Sequence, residues 1–232
     1  MGSPAGETWG LAKDKSDTLW FWNEDFRHPV LITEGFWLFE TACTQALWQA
    51  VMGQNPSQFQ GASRPVERVS WEEVQRFIEA LNQRLPGLEL SLPSEAQWEY
   101  ACRAGTTTPF SFGATITPEQ VNYNGDYPYA GGTRGLNRQE TVPVKSLPPN
   151  AWGLHEMHGN VWEWVQDAWH GSYQGAPTDG SPWVTEGAGA GRVIRGGSWN
   201  EGARHCRSAA RNQFHPDDRC GLLGFRCARG QS

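Results

Sequence analysis

From Thr106 to Pro149, and again from Gly171 to Gly191, the chain runs through Gly, Asn, Pro and Thr with no apolar repeat of helical or strand period. Stretches that long inside a compact unit are usually functional or tied down by ligands or ions. They also leave few regular elements, so large side chains must build the core. The supply is ample: 13 Trp, 10 Phe and 5 Tyr among 232 residues. Such a chain is neither a disordered polymer nor, lacking any run of the about 20 apolar residues that cross a bilayer, a membrane span. There is no internal repeat and no Ser/Pro linker, so one domain over residues 1–232 is expected. The start, MGSPAGETWGLAKDKSD, lacks the basic and apolar regions of a signal peptide, which makes a cytoplasmic location the expectation.

Capping chemistry marks the helices. Ser70-Trp71-Glu72-Glu73 is a capping box, followed by Val74, Phe77, Ile78, Leu81 and Leu85 on one stripe and by the stop Pro86-Gly87. Ser94-Glu95-Ala96-Gln97 repeats the device ahead of a short helix from Gln97 to Arg103. A third helix is predicted from Thr44 to about Met52, before Gly53. His28 to Glu40 reads as extended segments separated by Glu34-Gly35. Val161 to Val165, Arg192 to Trp199 and Leu223 to Ala228 have the β-branched and aromatic content of strands.

The net charge is -6, a poor balance for a nucleic-acid binder. Arg192 to Arg229 nevertheless holds eight Arg against Glu201, Asp217 and Asp218. Such guanidinium groups can read phosphate or satisfy internal carboxylates and carbonyls, and the mixed signs favour the internal role. Five Cys (43, 102, 206, 220 and 227), an odd number without CxxC, suggest neither a disulfide framework nor structural zinc. Gly187-Ala188-Gly189-Ala190-Gly191 precedes a strand-like segment rather than a helix, so it reads as a connector and not a phosphate loop. In HEMHGNVWEW, Glu156 and Glu163 flank a Gly-Asn turn whose carbonyls can face inward, a set of hard oxygen donors that suits Ca2+. Pairing of Glu163 with a C-terminal Arg accounts for that carboxylate equally well.

Four blocks, LPSEAQWEYACRAGT, GLHEMHGNVWEWVQD, VIRGGSWN and LGFRCAR, resemble in order the signatures of the formylglycine-generating enzyme (sulfatase-modifying factor) family, and MGSP and FETACTQALW agree. The likeness runs from Met1 to Arg229. It implies an α+β, C-type-lectin-like fold, loop-rich, with few short helices, twisted antiparallel strands and structural Ca2+ in its loops. By that resemblance the Ca2+ ligands are Glu156, Glu163 and the carbonyls of Gly159 and Val161. A second calcium loop would begin at Asn122, yet no later carboxylate matches around Gly135 to Gln139.

The family's enzymes convert a cysteine of a sulfatase-type protein to formylglycine with O2 and copper held by two thiolates, five residues apart after an Arg-Gly-Gly-Ser strand. Here Arg195 to Asn200 leads to Glu201 and Cys206, so a carboxylate stands where the first thiolate would be, and a linear Cu(I) pair wants two soft sulfurs. A sulfoxide-forming branch of the family draws its iron-binding His from an added helical bundle, for which these residues leave no room. The C-terminal segment, about 192–229, is also similar to the cassette of variable proteins of diversity-generating retroelements. On that likeness Trp199, Glu201, Gly202, His205, Gln213, Phe214, His215, Cys220, Gly221 and Leu222 are loop residues contacting a protein or small-molecule ligand on a rigid scaffold. The sequence thus leads to the expectation of a non-catalytic ligand-binding module braced by calcium. The alternative is a copper-dependent formylglycine-generating oxidase with Cys206 as its catalytic thiol.

Overall fold

The computed structural model describes residues 1–3, 27–184 and 191–231. The rest of the N-terminal leader sequence and most of the Gly187–Gly191 connector lie outside the described residues. The elements in chain order are β1 (Phe36–Leu38), α1 (Gln45–Met52), α2 (Trp71–Arg84), β2 (Leu90–Ser91), α3 (Glu95–Arg103), β3 (Trp162–Ala168), β4 (Arg192–Arg195), a 3-10 turn (Ala203–Cys206), β5 (Arg211–Phe214), β6 (Leu223–Phe225) and β7 (Ala228–Gly230).

The helices begin where side chains replace missing backbone partners. Ser70 Oγ accepts the Glu73 amide while Glu73 returns a carboxylate to the Ser70 amide, and Ser94 and Gln97 do the same for α3. Thr44 caps α1, and Gly53 ends it in the left-handed conformation. Each helix buries one stripe; Val74, Phe77, Ile78 and Leu81 are that of α2.

Seven strands form two sheets. β7 lies between β1 and β2, antiparallel to both, and the second sheet has the order β5-β4-β3-β6. Within it β3 and β4 are antiparallel, whereas β3 and β6 run parallel in the register Trp162–Leu223 to Trp164–Phe225, so the antiparallel expectation is not met by every pair. The segment 28–33 forms no strand, and only Phe36–Leu38 of the expected extended run pairs. The apolar run Leu223–Ala228 is two strands in two sheets, broken at Arg226-Cys227.

Aromatic rings do fill the centre. Trp48 stacks on Phe77 at 5.2 Å between centroids, and Phe77 meets Phe225 edge-on at 5.3 Å. A second cluster gathers Phe110, Tyr123, Tyr129, Ala203 and Cys206, and a third Trp98, Cys102, Met157, Val165 and Val193. The C-terminal Arg residues are largely internal. Arg211 grips Glu95 through two bonds of 2.8 Å, Arg195 pairs with Glu95 and Glu99, and Arg226 grips Glu163 at 2.7 and 2.8 Å, all of them buried. Bidentate pairing compensates the desolvation of these charges, and removing one partner would leave the other buried and unpaired.

Candidate functional site

The Arg-Gly-Gly-Ser segment after β4 turns sharply into the 3-10 turn. Gly197 has φ +75°, and a Cβ there would lie 2.7 Å from Cys206 Sγ, so only glycine lets the turn close over that thiol. The turn is tied to the long loop opposite: Asn124 donates its amide to Glu201 O at 2.9 Å, and Ala203 donates to Tyr127 O at 3.0 Å. Between the two segments opens a cleft of about 610 Å³, walled by Asp126 to Tyr129, Arg134, Asn200 to Gly202, Arg204 and His205.

Glu201 stands in the cleft wall. Burial raises its carboxyl above the usual range, against the lowering effect of a Trp162 hydrogen bond and of Arg204. His205 Nε2 accepts from Arg204 Nε at 3.0 Å and lies 3.8 Å from Glu201 Oε2. Beneath them Cys206 is fully buried in the same apolar cluster as Tyr129. Burial, with Glu201 and Cys102 adding to it, pushes its thiol well above the ordinary cysteine range.

Under the floor lies a residue to which sequence reasoning gave no role. His158 Nδ1 is 2.6 Å from the Cys206 carbonyl, while Nε2 receives the Ser111 amide at 3.1 Å. An amide can only donate, so Nε2 is the acceptor and Nδ1 carries the proton. Burial lowers His158 to about 4, so the ring is neutral at pH 7. Cys102, its thiol raised to about 12 by burial, rests against this imidazole. The only sequence signal for His158 was its place in the HEMHGN block; its partners are contributed by distant segments.

Of the ten expected ligand-contact residues, Glu201, Gly202 and His205 line the cleft. Trp199 instead donates its indole N–H to Gly221 O and meets Phe59 edge-on, while Cys220 and Leu222 pack on the first core cluster. Gln213 and Phe214 belong to β5, not to a loop, and Phe214 packs beside Trp164; His215 pairs with Asp217. The interstitial residues therefore do not converge on the cleft, because Phe214, Cys220 and Leu222 have packing roles of their own.

The expected calcium ligands are distributed as follows. Glu163 is the partner of Arg226 and also accepts the Trp98 indole N–H at 2.7 Å, the alternative that the sequence left open. Glu156 accepts the Lys145 amide on Oε2, while its buried Oε1 has no partner and burial raises its carboxyl. A bare carboxylate oxygen of this kind fits a hard cation. Gly159 packs against Asn122, whose carbonyl a Cβ would meet at 2.3 Å, and Val161 is buried just before β3. Asn122 Oδ1 also lacks a partner.

Copper held by two thiolates does not fit the residues at the cleft. Position 201 offers a carboxylate, Cys206 is a buried thiol with a raised pKa, and among the described residues no three of His, Cys, Asp and Glu gather as a metal site.

A sulfatase-modifying factor enzyme 1-like domain model matches residues 13–231. The chain is 33% identical over 210 residues to formylglycine-generating enzyme of Mus musculus, an alignment covering 87% of this chain and 53% of that protein. The chain spans about half the length of the curated relatives it matches. Among solved structures, PvdO from Pseudomonas aeruginosa superposes with a TM-score of 0.81 at 30% identity, covering 100% of this chain and 90% of that one. Treponema denticola variable protein 1 gives 0.71 at 29% identity, with 84% of each chain covered. The fold expected from the signature blocks, α+β and C-type-lectin-like, is the fold observed. The expectation of a non-catalytic ligand-binding module is corrected: similar proteins over most of the chain are named formylglycine-generating enzymes, which favours the catalytic alternative. The missing first thiolate had been given too much weight against the agreement of the whole chain.

Proposed function

The chain belongs to the sulfatase-modifying factor enzyme 1-like domain family, and from that premise we propose that it is an oxidoreductase of the formylglycine-generating type, acting on a cysteine of a sulfatase-type protein substrate. The reaction takes a peptide –CH2–SH to –CHO with O2 as oxidant. The substrate segment lies in the cleft between Tyr127 and His205, which is wide enough for an extended peptide and open to solvent. Glu201, with its carboxyl raised by burial, takes the proton that the substrate thiol loses, and His205 and Arg204 fix the carboxylate's surroundings. Cys206 lies beneath them as the sulfur nearest this chemistry. The observation that carries the proposal is the placement of Glu201 in the cleft wall with Cys206 directly behind it on one short turn. No step is assigned to copper, since the residues do not offer the paired thiolates.

Structural Ca2+ belongs to the same proposal, bound through Glu156 Oε1 with the Gly159 and Val161 carbonyls. Support comes from the bare, buried oxygen of Glu156; Glu163 keeps its bridge to Arg226 and contributes at the edge of the site. It braces the loop and takes no part in the reaction.

The test supplies a cysteine peptide of sulfatase type, O2 and a thiol reductant, with and without added copper, and traps aldehyde with an aminooxy reagent before mass analysis. Aldehyde formation is expected, with kcat lowered about 100-fold in Glu201→Gln and more in Cys206→Ser. Absence of aldehyde from the wild-type protein in every arm overturns the proposal, as does full activity in Cys206→Ser.

A further inference from the structure

We infer that His158 is a positioning residue for Cys206, holding the 3-10 turn at the height that sets the thiol beneath the cleft. The inference rests on the proposed function only in taking Cys206 as the relevant sulfur.

Three segments far apart in sequence meet on this one imidazole. The Ser111 amide donates to Nε2 at 3.1 Å, with the Ser111 hydroxyl 2.9 Å from the same nitrogen. That contact fixes the tautomer, so Nδ1–H donates to the Cys206 carbonyl at 2.6 Å. Phe110 and Phe112 pack on the ring at 5.6 and 5.9 Å between centroids, fixing its orientation. Cys102 Sγ lies 3.7 Å from Nε2 and 3.8 Å from Nδ1, and its thiol has Met157 O and Ser208 Oγ within 3.7 Å. The ring therefore also spaces the Cys102 thiol of α3 from the turn that carries Cys206.

The geometry is that of a carbonyl anchor. Cys206 ends the 3-10 turn, and such a short turn has few internal bonds with which to fix its last residue. Its thiol side faces Gly197, where no side chain can restrain it. The His158 bond supplies the missing restraint from below. Loss of the ring nitrogens would free the turn locally while the rest of the core stays packed.

His158→Phe keeps the ring volume but has no nitrogen, and His158→Asn restores a donor near the position of Nδ1. Native protein is treated with iodoacetamide, and alkylation is followed by mass spectrometry at Cys206 and at Cys43, a buried thiol of the first core cluster. Expected is about tenfold faster labelling of Cys206 in the Phe variant, a return to within about threefold of wild type in the Asn variant, and no change at Cys43. In the peptide assay kcat falls in the Phe variant at constant KM and recovers in the Asn variant. Equal acceleration at both thiols, or an unchanged Cys206 rate in the Phe variant, overturns the inference. So does an imidazole 15N spectrum of the wild-type protein showing the proton on Nε2, a measurement that requires no variant. If the wild-type protein forms no aldehyde, the proposed function fails, while the labelling rates and the tautomer still decide the role of His158.

Discussion

Asp167 illustrates how far one buried carboxyl can shape the pH response. It accepts the Glu95 and Trp183 amides at 2.7 and 2.8 Å, yet it is 5% exposed and faces the Glu95 carboxylate. Burial first, and Glu95 second, raise it to about 7, with Arg211 opposing. A carboxyl whose folded pKa lies above the usual 3.8 binds its proton more tightly in the native state. Its contribution to stability is therefore present at low pH and falls as pH rises from about 4 through about 7, by an amount on the order of a few kcal/mol. Urea unfolding of the wild-type protein and of Asp167→Asn between pH 5 and 8 checks this, the variant being expected to show the flatter profile. The residue chemistry of Glu163 was readable only as two alternatives, because its choice of Arg226 depends on a parallel strand pairing that no local pattern encodes. His158 was less legible still, since it acts through the Cys206 carbonyl, 48 residues further along the chain.

At the scale of elements, the capped helices were the most legible parts. Ser94 does more than cap: its hydroxyl also donates to Gly180 O at 2.7 Å, tying the start of α3 to a loop across the molecule. Through α3 it places Glu95, Glu99 and Cys102 in the interior. Ser94→Ala is expected to cost about 1 to 2 kcal/mol in urea unfolding, at the upper end for a cap because a buried acceptor is also left bare. The strands were less legible. Leu223–Ala228 has the pattern of one strand, but Arg226 turns inward to Glu163 and the chain leaves one sheet for the other at that point. Similarly, β5 was masked by the mixed character of Arg211–Phe214, which reflects one side packed against the core and the other exposed. The cleft itself was partly readable, through Glu201, Gly202 and His205; its opposite wall from Asp126 to Tyr129 lies within a loop that has no periodic signal.

For the molecule as a whole, the unpatterned loops raise the question of what orders them. With Ca2+ at Glu156, calorimetry is expected to show a melting temperature about 5 to 10 °C higher at a free Ca2+ concentration 100 times the dissociation constant than in chelator. Glu156→Gln should abolish that difference, and an equal shift in the variant would place the ion elsewhere. The loop-rich character was plain in the sequence, whereas the joining of distant segments was not: β1, near the start of the described chain, finds its partner only in β7. Because β7 is the middle strand of its sheet and the last element translated, neither flanking strand can find its neighbour until synthesis is nearly over. The nascent polypeptide must therefore emerge from the ribosome with two solitary edges waiting, and loss of only a few terminal codons would leave both exposed to aggregation.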